Sequence, residues 1–399
     1  MGEKFEVAIV GGGVIGCSIA LRLAGEGKRV LLVERSDALG SGASSAALGG
    51  IIVETDDFCL DSDGLGNLAE HSRSLLPDWV EGLSKRSGVD VPILTTGDIQ
   101  VALSEAEQAR IEDVLLPRWR GRGYSVQPLT PRELADKEPL LTRNAVAGYL
   151  LSAELALEPR RLMVALATLL ETEPNVRIRL NSQVTGVDAD STDAAITLSD
   201  GTVVHADTVV VSAGYLSGDL LPEIDKTIFP VRGQAFEVRR PGCETYPLNH
   251  HCLAIIDDAG SEIIAYAVPR SDGRMAFGVT YEDRISDSYI TENGQSLIET
   301  GLGLLIPSAT TWPITRRWAG VRPGIESGKP LIGRIREGHR MIVATGHYGL
   351  GITLAPVTAE LVSVLINEED GDRVTTERLE TCSPARLDLG VSASLEQVG

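Results

Sequence analysis

The chain contains 399 residues, of which 43% are hydrophobic and 23% are charged, so its composition is that of a globular protein rather than a disordered one. At about 150 residues per domain, this length allows two or three domains. Acidic residues outnumber basic residues by 56 to 36, and the net charge of -20 disfavours nucleic acid and anionic membranes as partners. Five cysteines at irregular spacing form no disulfide framework, and no apolar run reaches the roughly 18 residues of a membrane span. These features predict a cytoplasmic protein with no membrane span.

The beginning of the chain contains the clearest pattern. Residues 5–10 form a short apolar run typical of a β-strand, and a glycine-rich turn follows at residues 11–16. A second apolar run at residues 30–33 ends in Glu34. Between the two runs, the apolar residues Ile15, Ile19 and Leu23 recur at helical spacing. Gly25 and Gly27 then end the predicted helix. This order of strand, glycine turn, helix, strand and acid is typical of a dinucleotide-binding unit.

Each spaced glycine of the turn has a physical role in binding a dinucleotide. Gly11 permits the tight turn, Gly13 allows backbone N–H groups to approach a pyrophosphate, and Gly16 allows the helix to pack closely on the strand. The unpaired N–H groups at the helix N-terminus then face the anion. Glu34 is placed to accept hydrogen bonds from a ribose 2′-hydroxyl, and its charge would repel a 2′-phosphate, which disfavours NADP. The motif alone does not distinguish NAD from FAD.

A segment of small residues follows at positions 41–50. Such a segment can pass close to a flat ring system, and a flexible linker is the alternative. The segment carries no charge and lies between two apolar stretches, which is unusual for a linker. The pattern therefore favours a segment packed against a bound ring.

Further strands of the nucleotide-binding sheet are predicted far along the chain. Apolar spacing and turn signals predict helices at residues 159–170 and from residue 351, and strands at 176–180, 183–187, 195–198, 203–205, 208–214 and 341–345. Strand-rich stretches at about 90–150 and 220–320 predict the sheet of a second domain. The predicted division is a discontinuous nucleotide-binding domain (1–89, 151–219 and 321–376), a second domain (90–150 and 220–320) and a C-terminal tail without a strong pattern (377–399).

Six segments span nearly the whole chain in a recognisable order: residues 7–16, 42–47, 230–234, 318–324, 328–333 and 346–356. In this order they resemble the D-amino acid oxidase superfamily of FAD enzymes, and most closely its glycine oxidase branch. The segments near the C-terminus are far more specific than the first glycine motif. The resemblance implies an α/β fold, with a glutathione-reductase-type FAD-binding Rossmann domain and a substrate domain whose mixed sheet faces the flavin.

The resemblance also implies which residues bind FAD. The glycine turn would hold the pyrophosphate, Glu34 the adenosine ribose, and Val184 the adenine through its backbone. The small-residue segment and the loop before the helix at residue 351 would line the flavin. The full set of implied FAD-binding residues is Gly11, Gly13, Val14, Ile15, Gly16, Glu34, Arg35, Ser44, Ser45, Ala46, Gly49, Val184, Gly214, Arg322, Gly346, His347, Gly349, Gly351, Ile352 and Thr353.

The helix that begins near Ile352 supplies an argument independent of the resemblance. Its N-terminal N–H groups and partial positive charge would face the N1 and C2 carbonyl region of the flavin, where reduction builds negative charge. His347, just before this helix, is either a ring contact or a packed residue of the turn. No cysteine lies at residues 318–324, near the position where some secondary-amine oxidases of the superfamily attach the flavin, so the resemblance implies non-covalent FAD.

The substrate pocket that the resemblance implies has two catalytic residues, Arg322 and Tyr266. Arg322 would pair with the carboxylate of an amino acid through its planar fork, and a surface salt bridge is the alternative. The Tyr266 hydroxyl would contact the same carboxylate, and an aromatic residue of the strand core is the alternative. Tyr281 and Tyr348 complete the implied substrate-binding set.

Two departures from the family pattern border this pocket. Gly349 stands where glycine oxidases usually carry a second arginine, and the loop at 349–351 looks more like that of D-amino acid dehydrogenases. The segment 249–265 is also longer than the family's usual turn before the tyrosine. These departures leave both the amino acid and the electron acceptor open.

The sequence therefore predicts an FAD-dependent amino acid or amine oxidoreductase, which transfers a hydride to flavin N5 and releases an imine that hydrolyses to an oxo acid. The alternatives are a D-amino acid or imino acid dehydrogenase with an acceptor other than oxygen, and a flavin-bearing subunit without independent turnover. The expected partners are a small-molecule substrate and oxygen or another acceptor, and a homo-oligomer is left open. No metal is expected, because His250, His251 and Cys252 complete no ligand spacing.

Overall fold

The computed structural model describes residues 5–190, 192–258, 261–336, 338–368 and 372–387. Its strands, in chain order, are β1 (Phe5–Val10), β2 (Val30–Val33), β3 (Gly50–Ile51), β4 (Ile93–Leu94), β5 (Asp98–Ala102), β6 (Val126–Leu129), β7 (Ala147–Leu151), β8 (Leu155–Leu157), β9 (Val176–Arg179), β10 (Val184–Ala189), β11 (Ala194–Leu198), β12 (Val203–Val211), β13 (Ile228–Arg239), β14 (His251–Asp258), β15 (Ser261–Pro269), β16 (Arg274–Gly278), β17 (Glu282–Asp283), β18 (Ile314–Ile325), β19 (Leu331–Arg334) and β20 (Met341–Thr345). Its α-helices are α1 (Val14–Gly25), α2 (Ala43–Ala46), α3 (Asp57–Asp61), α4 (Asp63–Ser87), α5 (Glu105–Arg110), α6 (Leu116–Gly121), α7 (Pro131–Lys137), α8 (Pro159–Thr172), α9 (Ser217–Leu220), α10 (Glu292–Leu305), α11 (Gly351–Asn367) and α12 (Arg373–Cys382).

The first sheet is built around parallel strands. Strands β9, β2, β1, β12 and β20 lie side by side in that order and run in the same direction. Every residue of β2 is buried, as expected for a continuous apolar strand that is covered on both faces. The antiparallel strands β10, β11 and β19 extend this sheet.

Two helices begin at the same edge of the first sheet. Helix α1 follows β1 directly, and α11 follows β20 after a short loop. Parallel strands end at a common edge, so both helix N-termini lie at that edge, which is where open α/β sheets bind ligands. Helices α1, α4, α8 and α11 pack together over one face of the sheet. The fold therefore places two sets of unpaired N–H groups at one end of the molecule's first sheet.

The predicted elements of the first sheet are confirmed, with one difference. The strands expected at residues 5–10, 30–33 and 341–345 and the helices expected at 159–170 and from 351 are all present. The separate strands expected at 203–205 and 208–214 are instead the single strand β12. It is continuous because its first half pairs with β11 and its second half with β20, while β1 pairs along its other edge.

The second sheet is mixed and has the order β6, β7, β5, β14, β15, β16, β13 and β18, with β17 also paired to β13. One face packs on α10, and the other carries Trp318, which packs with Ala46 and Leu48. Residues directly opposite each other across strands share a face, as do alternate residues along a strand. By this register, Tyr266 and Arg322 lie on the same face as Trp318. A third, small sheet pairs β3, β8 and β4.

Four elements cross the predicted domain boundaries, namely β7, α9, β18 and α12. Strand β18 runs through the boundary predicted between residues 320 and 321, and it pairs with β13 on both sides of that point. Helix α12 crosses the predicted start of the tail at residue 377, and residues 388–399 of that tail lie outside the described residues. The division into two domains and a tail stays a prediction. No helix within the described ranges is long and apolar enough to cross a membrane.

Candidate cofactor and substrate site

The glycine turn after β1 is closed too tightly for side chains. A Cβ atom at Gly16 would lie 1.9 Å from the carbonyl oxygen of Gly11, and one at Gly11 would lie 2.5 Å from that of Ser212. Gly11 also has a φ of +108°, which favours glycine. The backbone N–H of Val14, in the first turn of α1, donates to Ser44 Oγ at 2.9 Å, and that turn contains no acidic residue. The N-terminus of α1 is therefore suited to an anion such as a pyrophosphate.

Glu34 lies beside this turn at the end of β2. Its Oε2 accepts from the backbone N–H of Gly12 at 2.7 Å, and its Oε1 accepts from that of Ser36 at 2.9 Å. A carboxylate has further lone pairs, so these bonds leave capacity for the hydroxyls of a ribose. The side chain of Arg35 is exposed at the same strand end. Glu34 thus both supports the turn and presents acceptor atoms next to it.

The start of β10 contains Val184, the residue that the resemblance implies for the adenine contact. Val184 is buried and pairs with Leu198 next to a bulge in the strand. Ser182, just before it, donates its backbone N–H to the carbonyl oxygen of Glu34 at 2.9 Å. The structure therefore links the segment before Val184 to the end of β2 at Glu34, although β10 and β2 are not adjacent in the sheet.

The N-terminus of α11 is the second group of unpaired donors. This helix of 17 residues has no side-chain cap at Leu350 and no acidic residue in its first turn. The side chains of Ile352 and Thr353 are buried. Gly214, at the end of β12, has a φ of +62°, and a Cβ atom there would meet nothing within 4 Å. Its carbonyl oxygen accepts from Thr345 Oγ1 at 2.8 Å, which joins the ends of β12 and β20.

The loop before α11 contains His347, for which the sequence left two interpretations. The imidazole is buried, and its Nε2 lies 3.0 Å from Thr358 Oγ1 inside α11. Burial lowers the pKa of His347 to about 3, so the ring is neutral at physiological pH. These contacts match the second interpretation, in which His347 is a packed residue of the turn and not a ring contact. Gly346 (φ +74°) and Tyr348 (φ +48°) both adopt the left-handed conformation in this loop.

The small-residue segment is fixed against the second sheet. Trp318 Nε1 donates to the carbonyl oxygen of Ala46 at 2.9 Å, and Arg160 Nε donates to that of Ser45 at 3.2 Å. Gly49 has a φ of +96°, and a Cβ atom there would lie 2.0 Å from the carbonyl oxygen of Leu157. These contacts are not those of a flexible linker, which was the alternative interpretation of the segment.

Arg322 is the half-buried cation of the candidate substrate site. Its Nη1 donates to the carbonyl oxygen of Thr280 at 3.2 Å, and its guanidinium stacks on the Tyr281 ring at 4.6 Å from the ring centroid. A Cβ atom at Gly233 would lie 2.2 Å from Arg322 Nη1, so the glycine makes room for the guanidinium. Within the part of the chain that the structure describes, no carboxylate forms an ion pair with Arg322.

Three aromatic rings form a wall next to Arg322. Tyr281 stacks on Tyr348 with 6.2 Å between the ring centroids, and Phe58 meets Tyr348 edge-on at 5.6 Å. Burial and the neighbouring Tyr281 raise the pKa of Tyr348 to about 12, so its hydroxyl stays protonated at physiological pH. The structure thus brings Arg322, Tyr281 and Tyr348 together, as expected. Phe58 joins them from α3, and its local sequence contains no signal for this role.

Tyr266 lies in a different part of the same sheet face. It is buried, and its Oη lies 3.0 Å from His251 Nδ1 on the neighbouring strand β14. A Cβ atom at Gly50 would lie 1.6 Å from the Tyr266 Oη. Tyr266 therefore faces the end of the small-residue segment, whereas Arg322 lies four residues beyond Trp318 on β18.

The contact between Gly50 and Tyr266 gives a stability prediction. Gly50→Ala should lower the free energy of unfolding by about 1–3 kcal/mol, because the new methyl group overlaps a buried, well-packed phenol. Chemical denaturation measures this change. Gly349→Ala is the matched control, since nothing lies within 4 Å of a Cβ atom there, and it should change stability by less than about 0.5 kcal/mol. A Gly50→Ala variant as stable as the wild type would show that Tyr266 moves aside freely.

Together, the closed glycine turn, the two helix N-termini and Glu34 fit a dinucleotide such as FAD. Comparison with known proteins supports this fit. A sequence profile described as "FAD dependent oxidoreductase" matches residues 6–365. Glycine oxidase from Geobacillus kaustophilus (strain HTA426) is 31% identical over 375 residues, covering 93% of this chain and 95% of that protein. Glycine oxidase from Bacillus subtilis (strain 168) is 30% identical over 377 residues, covering 93% and 95%.

Solved structures show the same architecture. The crystal structure of glycine oxidase from Geobacillus kaustophilus superposes with a TM-score of 0.84 at 29% identity, covering 93% of this chain and 96% of that chain. Iminodiacetate oxidase from Chelativorans sp. BNC1 superposes with a TM-score of 0.80 at 21% identity, covering 95% and 98%, and this likeness concerns the fold alone. The predicted α/β fold class is confirmed by these neighbours.

Proposed function

We propose that this chain, which belongs to the family of FAD-dependent oxidoreductases, oxidatively deaminates a small amino acid or an N-substituted glycine. Membership follows from the profile match over residues 6–365, and it confirms both the predicted superfamily and FAD as the cofactor. The relatives named glycine oxidase support an amino acid as the substrate class. The imine product would hydrolyse in water to an oxo acid and ammonia or an amine.

The observation that carries this proposal is the unpaired guanidinium of Arg322. Arg232, on the neighbouring strand, is bonded to Glu282 and Asp287, so its charge is already neutralised. Arg322 is half-buried, and among the described residues it has a carbonyl and an aromatic ring as partners but no acid. A partly desolvated cation without a counter-ion favours an anionic ligand, and a substrate carboxylate matches its planar fork.

The residues around the cofactor have distinct proposed roles. The N-termini of α1 and α11 would hold the pyrophosphate and the electron-accepting end of the ring system, and Glu34 the ribose. FAD, when bound, supplies the oxidant that accepts two electrons from the substrate. Arg322 would hold the substrate in position, and Trp318 and Arg160 keep the small-residue segment in place. Positioning of this kind contributes a large part of catalysis when no covalent step occurs on the protein.

Proton transfer is not assigned to His347. The neutral imidazole is buried against Thr358, and its pKa of about 3 leaves it unable to accept a proton at physiological pH. The proposal instead has the substrate enter with its amine already neutral.

A dehydrogenase with an acceptor other than oxygen is the second candidate, because one observation favours it. Gly349 is exposed and no heavy atom lies near its Cβ direction, so the usual second arginine is replaced by open space.

Anaerobic addition of glycine, N-methylglycine, D-amino acids or cyclic imino acids should bleach the flavin absorbance. Peroxide formation in air would then identify an oxidase, and bleaching without peroxide a dehydrogenase. No bleaching by any amino acid would contradict both candidates in favour of a flavin-bearing subunit.

The attachment of FAD gives a further prediction. Cys17, Cys59, Cys252 and Cys382 are buried, and burial raises the pKa of each thiol, which disfavours the reactive thiolate. Acid precipitation should therefore release all the flavin into the supernatant as FAD. Flavin absorbance that stays with the precipitate would show a covalent bond, and Cys243, which is partly exposed, would be the first residue to test.

A cytoplasmic location is part of the proposal. All five cysteines are free thiols, which supports a reducing compartment. The proposed partners are a small-molecule substrate and an electron acceptor.

A further inference from the structure

The contacts that hold Arg322 come from two consecutive residues, Thr280 and Tyr281. The Thr280 carbonyl oxygen accepts a hydrogen bond from the guanidinium, and the Tyr281 ring lies against it. Both residues lie in the connection between β16 and β17, outside any strand. Among the described residues, neither of them forms a hydrogen bond between two backbone groups. The direction of the guanidinium therefore depends on the side-chain contacts that fix this connection.

The Thr280 side chain ties the connection to the second sheet. Thr280 is buried, and its Oγ1 accepts from the backbone N–H of Gln234 on β13 at 3.0 Å. The same hydroxyl donates to Glu282 Oε1 at 2.9 Å. A hydroxyl has one donor and two acceptor lone pairs, so it can make both bonds at once. The hydroxyl thus supplies the link to β13 that the backbone of the connection does not make.

Glu282 is the centre of this hydrogen-bond network. Its Oε2 accepts from Nε and Nη2 of Arg232, and its Oε1 accepts from Gln234 Nε2 at 2.8 Å as well as from Thr280. Burial alone would raise its pKa, but these hydrogen bonds lower the pKa of Glu282 below its ordinary value, so the carboxylate is charged at physiological pH. A charged carboxylate held by four donors is a firm anchor for the threonine hydroxyl.

The network lies on the opposite face of the sheet from Arg322. Val231 is directly opposite Arg322 in the register, and side chains alternate along β13, so Arg232 and Gln234 point to the other face. Gln234 Nε2 accordingly donates to Thr291 Oγ1 at 2.8 Å, at the start of the helix α10 that covers that face. The network can therefore act on a ligand of the guanidinium only through the connection between β16 and β17.

We propose that Thr280, anchored by Glu282, is a positioning residue that fixes the Arg322 guanidinium for the substrate carboxylate. The inference rests on the proposed function, because it concerns the arginine that is proposed to bind the carboxylate. A guanidinium that is already held in its binding direction loses less conformational freedom when an anion binds, which favours affinity. Loss of the Thr280 hydroxyl should therefore weaken carboxylate binding, although the hydroxyl itself does not contact the ligand.

Titration of the FAD-loaded protein with acetate, a simple carboxylate probe, tests the proposal with flavin absorbance as the signal. Thr280→Val keeps the shape of the side chain but removes the hydroxyl, and it should weaken acetate binding by about three-fold to ten-fold. Thr280→Ser keeps the hydroxyl and should bind acetate within about two-fold of the wild type. The FAD affinity should be unchanged in both variants. Equal losses in the two variants, or wild-type acetate affinity in Thr280→Val, would overturn the proposal.

A matched pair of acids tests the role of the anchor. Glu282 and Asp287 are both bonded to Arg232, but of the two only Glu282 is bonded to Thr280 in the described part of the chain. Glu282→Ala should weaken acetate binding about as much as Thr280→Val, whereas Asp287→Ala should stay within about two-fold of the wild type. This pair decides the question if Thr280→Val does not fold, and equal effects of the two substitutions would then contradict the proposal.

Arg322→Met distinguishes failure of this proposal from failure of the proposed function. If Arg322→Met abolishes acetate binding while Thr280→Val and Glu282→Ala bind acetate as the wild type does, only the positioning role is wrong. If Arg322→Met binds acetate as tightly as the wild type, or if the wild type does not bind acetate, both are wrong.

Discussion

Arg322→Met should reduce kcat/KM for an amino acid by about thirty-fold to several thousand-fold, while FAD binding and folding are retained. Methionine keeps much of the length of the side chain but removes the charge and the planar fork. The guanidinium contacts Thr280 and Tyr281 and has no acid partner among the described residues, so its removal leaves no buried carboxylate unpaired. The loss should therefore appear in substrate binding and turnover rather than in stability.

The decisive measurement compares an amino acid with its decarboxylated amine on both proteins. The amine never used the contact, so its kcat/KM should change far less than that of the acid. Arg284→Met is the matched control, because Arg284 also stacks on an aromatic ring, that of Phe229 at 5.0 Å, but is mostly exposed. Equal losses for acid and amine in Arg322→Met would mean that this arginine supports the fold or the cofactor instead.

The first sheet could be predicted from sequence because its signals are local. The strand at residues 5–10, the glycine turn and the helix α1 are consecutive, and each continuous apolar run reports a strand buried on both faces. Gly16 illustrates the same point. The glycine spacing predicts a tight turn, and in that turn a Cβ atom at Gly16 would lie 1.9 Å from the carbonyl oxygen of Gly11. The joining of two predicted strands into β12 was missed, because that depends on pairing with both β11 and β20. Strand β19 was also not predicted, and it is defined by its pairing with β20.

The substrate site could be predicted only where a family pattern supplied it. Phe58 reaches the wall beside Arg322 from α3, and His251 reaches Tyr266 from the neighbouring strand, so both contacts depend on packing between distant segments. The two interpretations of His347 differ only in the direction of its side chain. The ring points to Thr358 in α11, eleven residues along the chain, and this contact depends on packing. Strand β18 passes the predicted domain boundary for a similar reason, since its pairing with β13 is not encoded locally.

Glu34→Arg should weaken FAD binding by about ten-fold to a hundred-fold, because hydrogen bonds from a ribose to a charged acceptor contribute roughly 1.5–3 kcal/mol. Titration of the flavin-free protein with FAD, followed by flavin fluorescence, measures the change. Asp37→Arg is the control, since it reverses a charge at an exposed position of the same loop and should leave the affinity nearly unchanged. The substrate specificity of the variant at saturating FAD should match that of the wild type.

The hydrogen bonds of Glu34 allow its two roles to be separated. Its carboxylate accepts from the backbone N–H groups of Gly12 and Ser36, so Glu34→Arg should also lower the free energy of unfolding of the flavin-free protein by about 1–3 kcal/mol. Glu34→Gln keeps an acceptor oxygen for one of these groups and should lose less on both measures. Reduced stability with unchanged FAD affinity would show that Glu34 supports the glycine turn alone, whereas a loss of affinity in a variant of unchanged stability would assign the carboxylate to the ribose alone. Because the turn and the ribose use the same side chain, we expect both losses together.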